Sequence, residues 1–419
     1  MMFLAAMGLI LLAFCGAPLF IVISAAALLA FYSLGVDLSI VTIEMYRLAA
    51  NPLLIALMLF AFAGYILAEG NSSSRLVRLS RALLGRLPGG FAVVSLLCCA
   101  FFTALTGASG VTIVALGGIL LPALLKEKYS ENFSLGLLTT SGSLGLLFPP
   151  SLPLIIYGVV TSTSIGDLFL AGILPGMLMI TVLSLYSICK GYKLGLRGDS
   201  HVSLQEVSRA AWEARWEIML PVVVLGGIFS GFFVLSEAAA VTALYVLFME
   251  VVIHRELKIK DLASTVMKTV MMVGGIILIL GASLAFNAFL IDQQVPGRVL
   301  ELIQEHVTNK FVFLLLLNLF LLAVGCVLDV FSALVIVVPL ILPMAAGYDI
   351  HPVHLGMVFL TNLQIGYSTP PIGMNLFIAG LRFEKPVLQL YRASLPFLFL
   401  LLFCLALITF IPRLSLFWL

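Results

Sequence analysis

Charge is scarce in this chain. Of its 419 residues only 10% are Asp, Glu, Lys or Arg, against about 25% in soluble globular domains. Hydrophobic residues make up 62%, and the mean hydropathy is +1.20. A soluble domain is thereby excluded, and a polytopic α-helical protein in a lipid bilayer is implied. The net charge is only +2 and no basic tail exists, so nothing favours nucleic acid as a partner. The six cysteines (Cys15, Cys98, Cys99, Cys189, Cys326 and Cys404) have no metal-like spacing and read as small core residues. No phosphate-binding loop, metal cluster or nucleotide motif occurs, so the chain has no ATP hydrolysis of its own. The N-terminus lacks the basic stretch of a secretory signal, and residues 1–34 read as retained membrane helix.

What is present is a repeat. Phe148-Pro149-Pro150 and Thr369-Pro370-Pro371 each interrupt an apolar stretch, and they lie 221 residues apart. The same offset relates Pro122 to Pro343, Thr140 to Thr361 and Gly145 to Gly366. Proline has no amide donor and clashes with the preceding turn, so each pair breaks a helix at membrane depth. Lipid cannot satisfy the freed carbonyls, and such breaks persist only where protein, water or an ion does. Paired broken helices in repeated halves mark a transporter binding site.

Apolar runs give candidate spans at 3–15, 18–31, 52–68, 133–160, 168–189, 219–235, 237–253, 263–291, 355–380 and 393–412. Residues 90–105 and 112–125 are shorter and flank Thr106-Gly107-Ala108-Ser109-Gly110. At about 22 Å each they fall short of a ~30 Å hydrocarbon core and read as a re-entrant hairpin. The offset carries this hairpin onto 311–327 and 333–346, around Leu328-Asp329-Val330-Phe331-Ser332. Seventeen of the 22 Lys and Arg residues fall in loops 69–88, 126–132, 190–217, 254–261 and 381–392. The positive-inside rule makes that side cytoplasmic. One hairpin then enters from each side, and the halves are inverted. Inversion asks 219–253 to cross twice, turning near Ser236-Glu237, and 3–31 to cross twice, turning at Gly16-Ala17-Pro18; a single kinked helix at 3–31 is the competing reading. Both termini then lie outside.

The fold class is therefore an all-α polytopic membrane protein of two inverted repeats, each with a re-entrant hairpin and a broken transmembrane helix. Its divisions are 1–189 (hairpin 90–125, broken helix 133–160), a cytoplasmic linker 190–217, and 218–419 (hairpin 311–346, broken helix 355–380). Segments 71–86 and 296–308 read as interfacial amphipathic helices.

Unwound carbonyls and short hydroxyl or amide side chains are hard oxygen ligands suited to Na⁺, and half-helix N-termini attract an anion. Candidate ion ligands are Ser109, Gly110, Ser141, Ser143 and Gly145 in the first half. In the second half they are Asp329, Ser332, Thr361, Gln364, Ser368 and Thr369. Ser109, Ser143, Asn362, Gln364 and Asn375 are placed to face substrate. Asp329 is the single acidic residue assigned to a hairpin tip, where an ionisable group is functional by default; capping of the following helix is the other reading. Gly107-Ala108-Ser109-Gly110 also matches the pattern around the nucleophile of rhomboid-type intramembrane proteases. That chemistry needs a base at membrane depth, and the five histidines all fall in loops or at helix ends. A transporter, not an enzyme, is expected.

Thr106 to Gly110, Ser141 to Ser151, Ser236 to Ala240 and Gln364 to Gly373 together resemble the large membrane subunit of tripartite ATP-independent periplasmic (TRAP) transporters, over the whole chain. The resemblance implies the ion transporter superfamily, elevator-type movement and a bacterial inner-membrane location. It implies Na⁺-coupled uptake of a carboxylate such as a C4-dicarboxylate or a sialic acid. A periplasmic substrate-binding protein would deliver it, and a small four-helix membrane subunit, not fused at the start of this chain, would act in trans. A stand-alone Na⁺- or H⁺-coupled carboxylate symporter of the same superfamily is the nearest alternative.

Overall fold

A computed structural model describes residues 7–9, 11–12, 17–84, 89–195, 204–370 and 372–419. In chain order the helices are α1 (Leu19–Ser33), α2 (Ser39–Ala49), α3 (Pro52–Glu69), α4 (Ser72–Leu84), α5 (Gly90–Thr106), α6 (Ser109–Lys126) and α7 (Glu131–Ser141). A 3₁₀ turn at Leu144–Leu147 precedes α8 (Leu152–Thr161), followed by α9 (Ile165–Lys193), α10 (Leu204–Glu213) and α11 (Arg215–Phe229). Next come α12 (Leu235–Phe248), which runs into a π-helical turn at Met249–Ile253, and α13 (Ile259–Asp292). The chain ends with α14 (Val295–His306), α15 (Lys310–Val327), α16 (Val330–Ala346), α17 (Pro352–Gly366), α18 (Met374–Phe383), α19 (Val387–Phe410) and the short α20 (Arg413–Leu416).

Among the described residues seven helices are long and apolar enough to cross a membrane, and a bent pair, Glu131–Leu147 with Leu152–Thr161, makes eight. The chain is a polytopic helical membrane protein. Ten spans were expected, and one of the differences has a local cause. Segment 219–235 ends early: α11 has 15 residues and stops at Phe229, because Ser230-Gly231 turns the chain with Gly231 at φ 74°. The turn expected near Ser236-Glu237 therefore lies at 230–234. Glu237 sits in the first turn of α12, where its carboxylate accepts the Val234 amide at 3.1 Å. At the N-terminus, Gly16 of the other expected turn is outside the described residues, while Ala17 and Pro18 are non-helical before α1.

The two hairpins are tighter than expected. The first narrows to Gly107 and Ala108 between α5 and α6, and the second to Leu328 and Asp329 between α15 and α16. Their arms have 17 or 18 residues, about 26 Å. The first tip turns in two residues because Gly107 adopts φ 66°, a left-handed conformation that glycine enters without a Cβ clash.

The halves interleave. Helix α3 of the first packs most heavily on α12 of the second, and α13 of the second on α1 of the first. Likewise α6 lies along α18, and α16 along α8. The buried core runs continuously through both halves. Glycine allows close approach of helix backbones. A Cβ on Gly366 would lie 2.6 Å from the Gly325 carbonyl carbon, so α17 and α15 meet backbone to backbone. Overpacking of this kind costs about 1–3 kcal/mol. Gly366→Ala is expected to lower stability by that amount in detergent unfolding, and an unchanged transition would show that the helices separate freely.

The interfacial segments form α4 and α14 as expected. The arginines of α4 carry what the sequence did not reveal. Arg75 bonds Glu217 of α11, Glu250 of the π turn at 3.1 Å and Glu256 at 2.5 Å. Arg78 pairs with Glu213 at 2.5 Å and Arg81 with Glu127 at 2.8 Å. Ser72 Oγ donates to Glu250 at 2.5 Å, and the Asn71 amide to Glu256 at 2.7 Å. Glu217 and Glu250 are fully buried. Burial, and then the Arg75 guanidinium, hold the His254 imidazole below its usual value of 6.5. A base with a depressed folded value is protonated first in the unfolded chain. Stability is therefore complete above about pH 6.5 and falls as pH drops through that value. His254→Asn is expected to flatten this loss in melting curves taken between pH 7 and pH 5 (~2 units); an unaltered pH slope would remove His254 from the cause.

Candidate functional site

Both broken helices open where the sequence places the prolines. Helix α7 ends at Ser141 and resumes as α8 at Leu152, with a 44° bend. Helix α17 ends at Gly366 and resumes as α18 at Met374; Pro371 lies outside the described residues. The two breaks meet. Ser143 Oγ donates to the Gln364 carbonyl at 3.2 Å, and these residues are 221 apart. They stand at matched positions of the 221-residue offset and are in contact. Asn375 at the start of α18 reaches back to the first half, donating to the Thr139 carbonyl at 3.3 Å.

Buried side-chain oxygens at the second break have no partner, Gln364 Oε1, Ser368 Oγ and Asn375 Oδ1; nor have Thr106 Oγ1 at the first hairpin tip and Asn362 Oδ1, one turn before the second break. Each belongs to a residue at most 3% exposed. An unsatisfied buried polar atom costs roughly 1–3 kcal/mol. Hydroxyls of Ser141, Thr361 and Thr369 donate to carbonyls one turn back, at 3.4, 2.7 and 2.8 Å. Such a bond uses the proton and leaves the oxygen lone pairs free.

The other expected ligands occupy distinct settings. Ser109 opens α6 and is buried, and α6 has no side-chain cap. Gly110 faces Ile378 of α18, whose Cδ1 would be 2.6 Å from an added Cβ. The Gly145 carbonyl accepts the Phe148 amide at 3.0 Å, and the residue itself lies against the α5 backbone. Asp329 caps α16, accepting the Phe331 and Ser332 amides at 2.9 Å and the Ser332 hydroxyl at 2.5 Å. Capping is thus realised. Asn362 turns away from the breaks. It donates to Asn318 of α15 at 2.6 Å, and Asn318 reaches Thr409 of α19 at 3.1 Å.

Sequence reasoning missed Thr103, Thr106, Thr112 and Tyr367. Thr103 and Thr112 share a 2.7 Å bond across the first hairpin, and Thr103 donates to the Gly142 carbonyl of the break at 2.8 Å. The Tyr367 hydroxyl accepts the Val330 amide at the second tip. Gly373 N–H donates to the Cys326 carbonyl at 3.2 Å. Each hairpin is therefore tied to the break of its own half. A threonine beside a tip glycine was the available signal for Thr106; nothing local marks Tyr367. Of the cysteines, Cys98, Cys99, Cys326 and Cys404 are buried as expected, Cys189 is exposed, and Cys15 is outside the described residues.

The family described as "Tripartite ATP-independent periplasmic transporter, DctM component" matches residues 3–414. The chain is 34% identical over 411 residues to the isethionate TRAP transporter permease protein DctMQ of Oleidesulfovibrio alaskensis, covering 96% of this chain and 64% of that protein, so it spans just under two thirds of this relative. It is 32% identical over 376 residues to the C4-dicarboxylate TRAP transporter large permease protein DctM of Pseudomonas aeruginosa, covering 89% and 88%. The crystal structure of the YdaH transporter of Alcanivorax borkumensis superposes with a TM-score of 0.62 over 88% of this chain and 86% of that one, at 13% identity, a likeness of fold. With a match from end to end, relatives above 30% identity and the paired breaks in place, this chain belongs to the DctM family of large membrane components of tripartite ATP-independent periplasmic transporters.

Proposed function

We propose that this chain carries out Na⁺-coupled uptake of a small organic anion, a carboxylate foremost, by an elevator movement in the bacterial inner membrane. One observation carries the reading. Unpartnered buried oxygens of Gln364, Ser368 and Asn375 lie at the second helix break, and that of Thr106 lies at the first hairpin tip. They are neutral oxygens with Asp329 as the one carboxylate at a tip. That donor set suits a hard monovalent cation better than a transition metal, which asks for imidazole or thiolate. Among the described residues no group of three or more His, Cys, Asp or Glu is placed to hold a metal ion.

In this reading the hairpins and broken helices, residues 90–160 and 311–380, move as one block. Helices α1, α3, α11, α12 and α13 form the scaffold, and α4 and α14 are the arms between them. The lysine and arginine bias puts α4 on the cytoplasmic side, α14 outside, and both termini in the periplasm. Na⁺ at the breaks and tips raises the local potential for an anion, and each ligand strengthens the other by the same factor. A periplasmic binding protein delivers the anion, and a small four-helix membrane subunit completes the transporter. The substrates for which those two relatives are named, isethionate and C4-dicarboxylates, are both organic anions.

The test is uptake into proteoliposomes holding this chain with its small subunit. Labelled C4-dicarboxylate, sialic acid and isethionate are each offered with a matching binding protein, with and without a Na⁺ gradient. Uptake that requires both Na⁺ and a binding protein is expected. Uptake driven by Na⁺ alone would assign the chain to the stand-alone symporters.

A further inference from the structure

The two arms are not equivalent, and the difference leaves a cavity. In the first half α5 and α6 pack along each other and α4 lies on α5. In the second half α15 and α16 barely touch, and α14 rests on α16. Side-chain size at matched positions accounts for this. Phe313, Leu316, Phe320 and Met344 stand where the offset of 221 gives Ala92, Ser95, Cys99 and Ala123. Small residues let the first three helices close, and large ones hold the second three apart. Between α14, α15 and α16 lies a cavity of about 480 Å³, with Phe313, Leu317, Val337 and Ile341 on its floor and Leu302 and Phe320 at its lips. The floor residues are at most 7% exposed, whereas Leu302 and Phe320 are 62% and 51% exposed. Its lining is apolar apart from His306 at the end of α14.

We propose that this cavity is a binding site for one acyl chain of a membrane phospholipid, wedged between the arm α14 and the second hairpin. Three observations select that occupant. The lips are exposed on a chain that spans a membrane, so the opening faces lipid rather than water. From Lys310, where α15 begins, to Phe320 is ten residues, a rise of about 15 Å. That is half of a ~30 Å hydrocarbon core, so the cavity is one leaflet deep. A void lined by apolar groups does not hold water, and the walls offer no backbone edge or charge for a protein segment. The repeat supplies the internal comparison, because the equivalent hairpin arms of the first half, α5 and α6, pack along each other. The inference rests on membrane insertion and on no assumption about the transported ion or anion.

Bromine on lipid tails quenches a tryptophan that the tails touch. The native tryptophans Trp212, Trp216 and Trp418 are replaced by phenylalanine, and one reporter is introduced. Ile341→Trp places it on the cavity floor; Leu120→Trp places it at the repeat-equivalent position, which is fully buried. Both variants are reconstituted into phosphatidylcholine vesicles with brominated or unbrominated tails. Loss of emission from the Ile341→Trp reporter, with none from the Leu120→Trp control, is the expected result. Equal emission from both reporters would overturn the proposal, as would quenching that disappears when the small membrane subunit is added, which would assign the cavity to that subunit. Against misfolding of the reporters, mass spectrometry of the unmodified protein from detergent is expected to find one retained phospholipid, absent from the cavity-filling Leu317→Trp variant. No retained lipid in the unmodified protein, or equal retention in the variant, would also overturn it.

Discussion

Arg75→Met is expected to destabilise the protein by about 3–5 kcal/mol, the cost of removing one partner from a buried ionic network. The magnitude follows from the charge count. One guanidinium serves three glutamates, Glu217, Glu250 and Glu256, and Glu217 and Glu250 are shut off from solvent. Two of their oxygens, Glu217 Oε2 and Glu250 Oε2, already lack partners. Without Arg75, carboxylates face one another in a poorly solvated site, and Ser72 alone cannot offset their repulsion. The network also joins α4 to α11, the π turn and the loop before α13, so its loss frees an arm as well as a charge. Arg75→Lys is expected to fall between, because an ammonium cannot make the forked contacts that reach three carboxylates. Denaturant unfolding in detergent micelles measures both variants. A change under about 1 kcal/mol would place these bonds with ordinary surface pairs and end the argument.

Gln364→Leu is expected to weaken Na⁺ activation of uptake on the order of 100-fold, at or beyond the 10–100-fold reported for disturbing a metal site's supporting shell. Gln364 sits where the breaks meet. Its carbonyl accepts Ser143 from the other repeat, and its side-chain Oε1 is buried without a partner. Leucine keeps most of the volume and removes the oxygen, so packing is conserved while a ligand is lost. Asn362→Leu is the informative contrast. Its amide is bonded to Asn318 and to the Val358 carbonyl on the side away from the breaks. That variant is expected to lower stability by about 1–3 kcal/mol and leave the Na⁺ dependence of uptake in place. An unchanged Na⁺ dependence in Gln364→Leu would remove the break from the ion site.

Helix breaks, hairpins and arms were legible because each is written locally. Pro149 and Pro370 interrupt backbone hydrogen bonding wherever they stand, and Gly107 turns the chain because it has no Cβ. An offset of 221 residues then places the proline breaks twice, although Leu328 stands where the offset carries Gly107. Span ends were less legible: the turn at Ser230-Gly231 lies inside an apolar run, and hydropathy alone carried that span too far.

The sequence by itself determined the membrane class, the repeat and the two breaks, because composition, proline and glycine act within a few residues of themselves. Only the tertiary structure decided the rest. Arg75 finds acids 142 to 181 residues away, and no local pattern distinguishes Glu217 from Glu213 before α4 and α11 meet. Ser143 and Gln364 become partners because folding brings the two breaks together. Gln364 and Asn362 each keep a free side-chain oxygen, but the Asn362 amide nitrogen is turned toward Asn318, a choice made by which helix face each presents. The cavity beside α14 has the same origin: residue size is visible in the sequence, but the space it leaves exists only once three helices have packed around it.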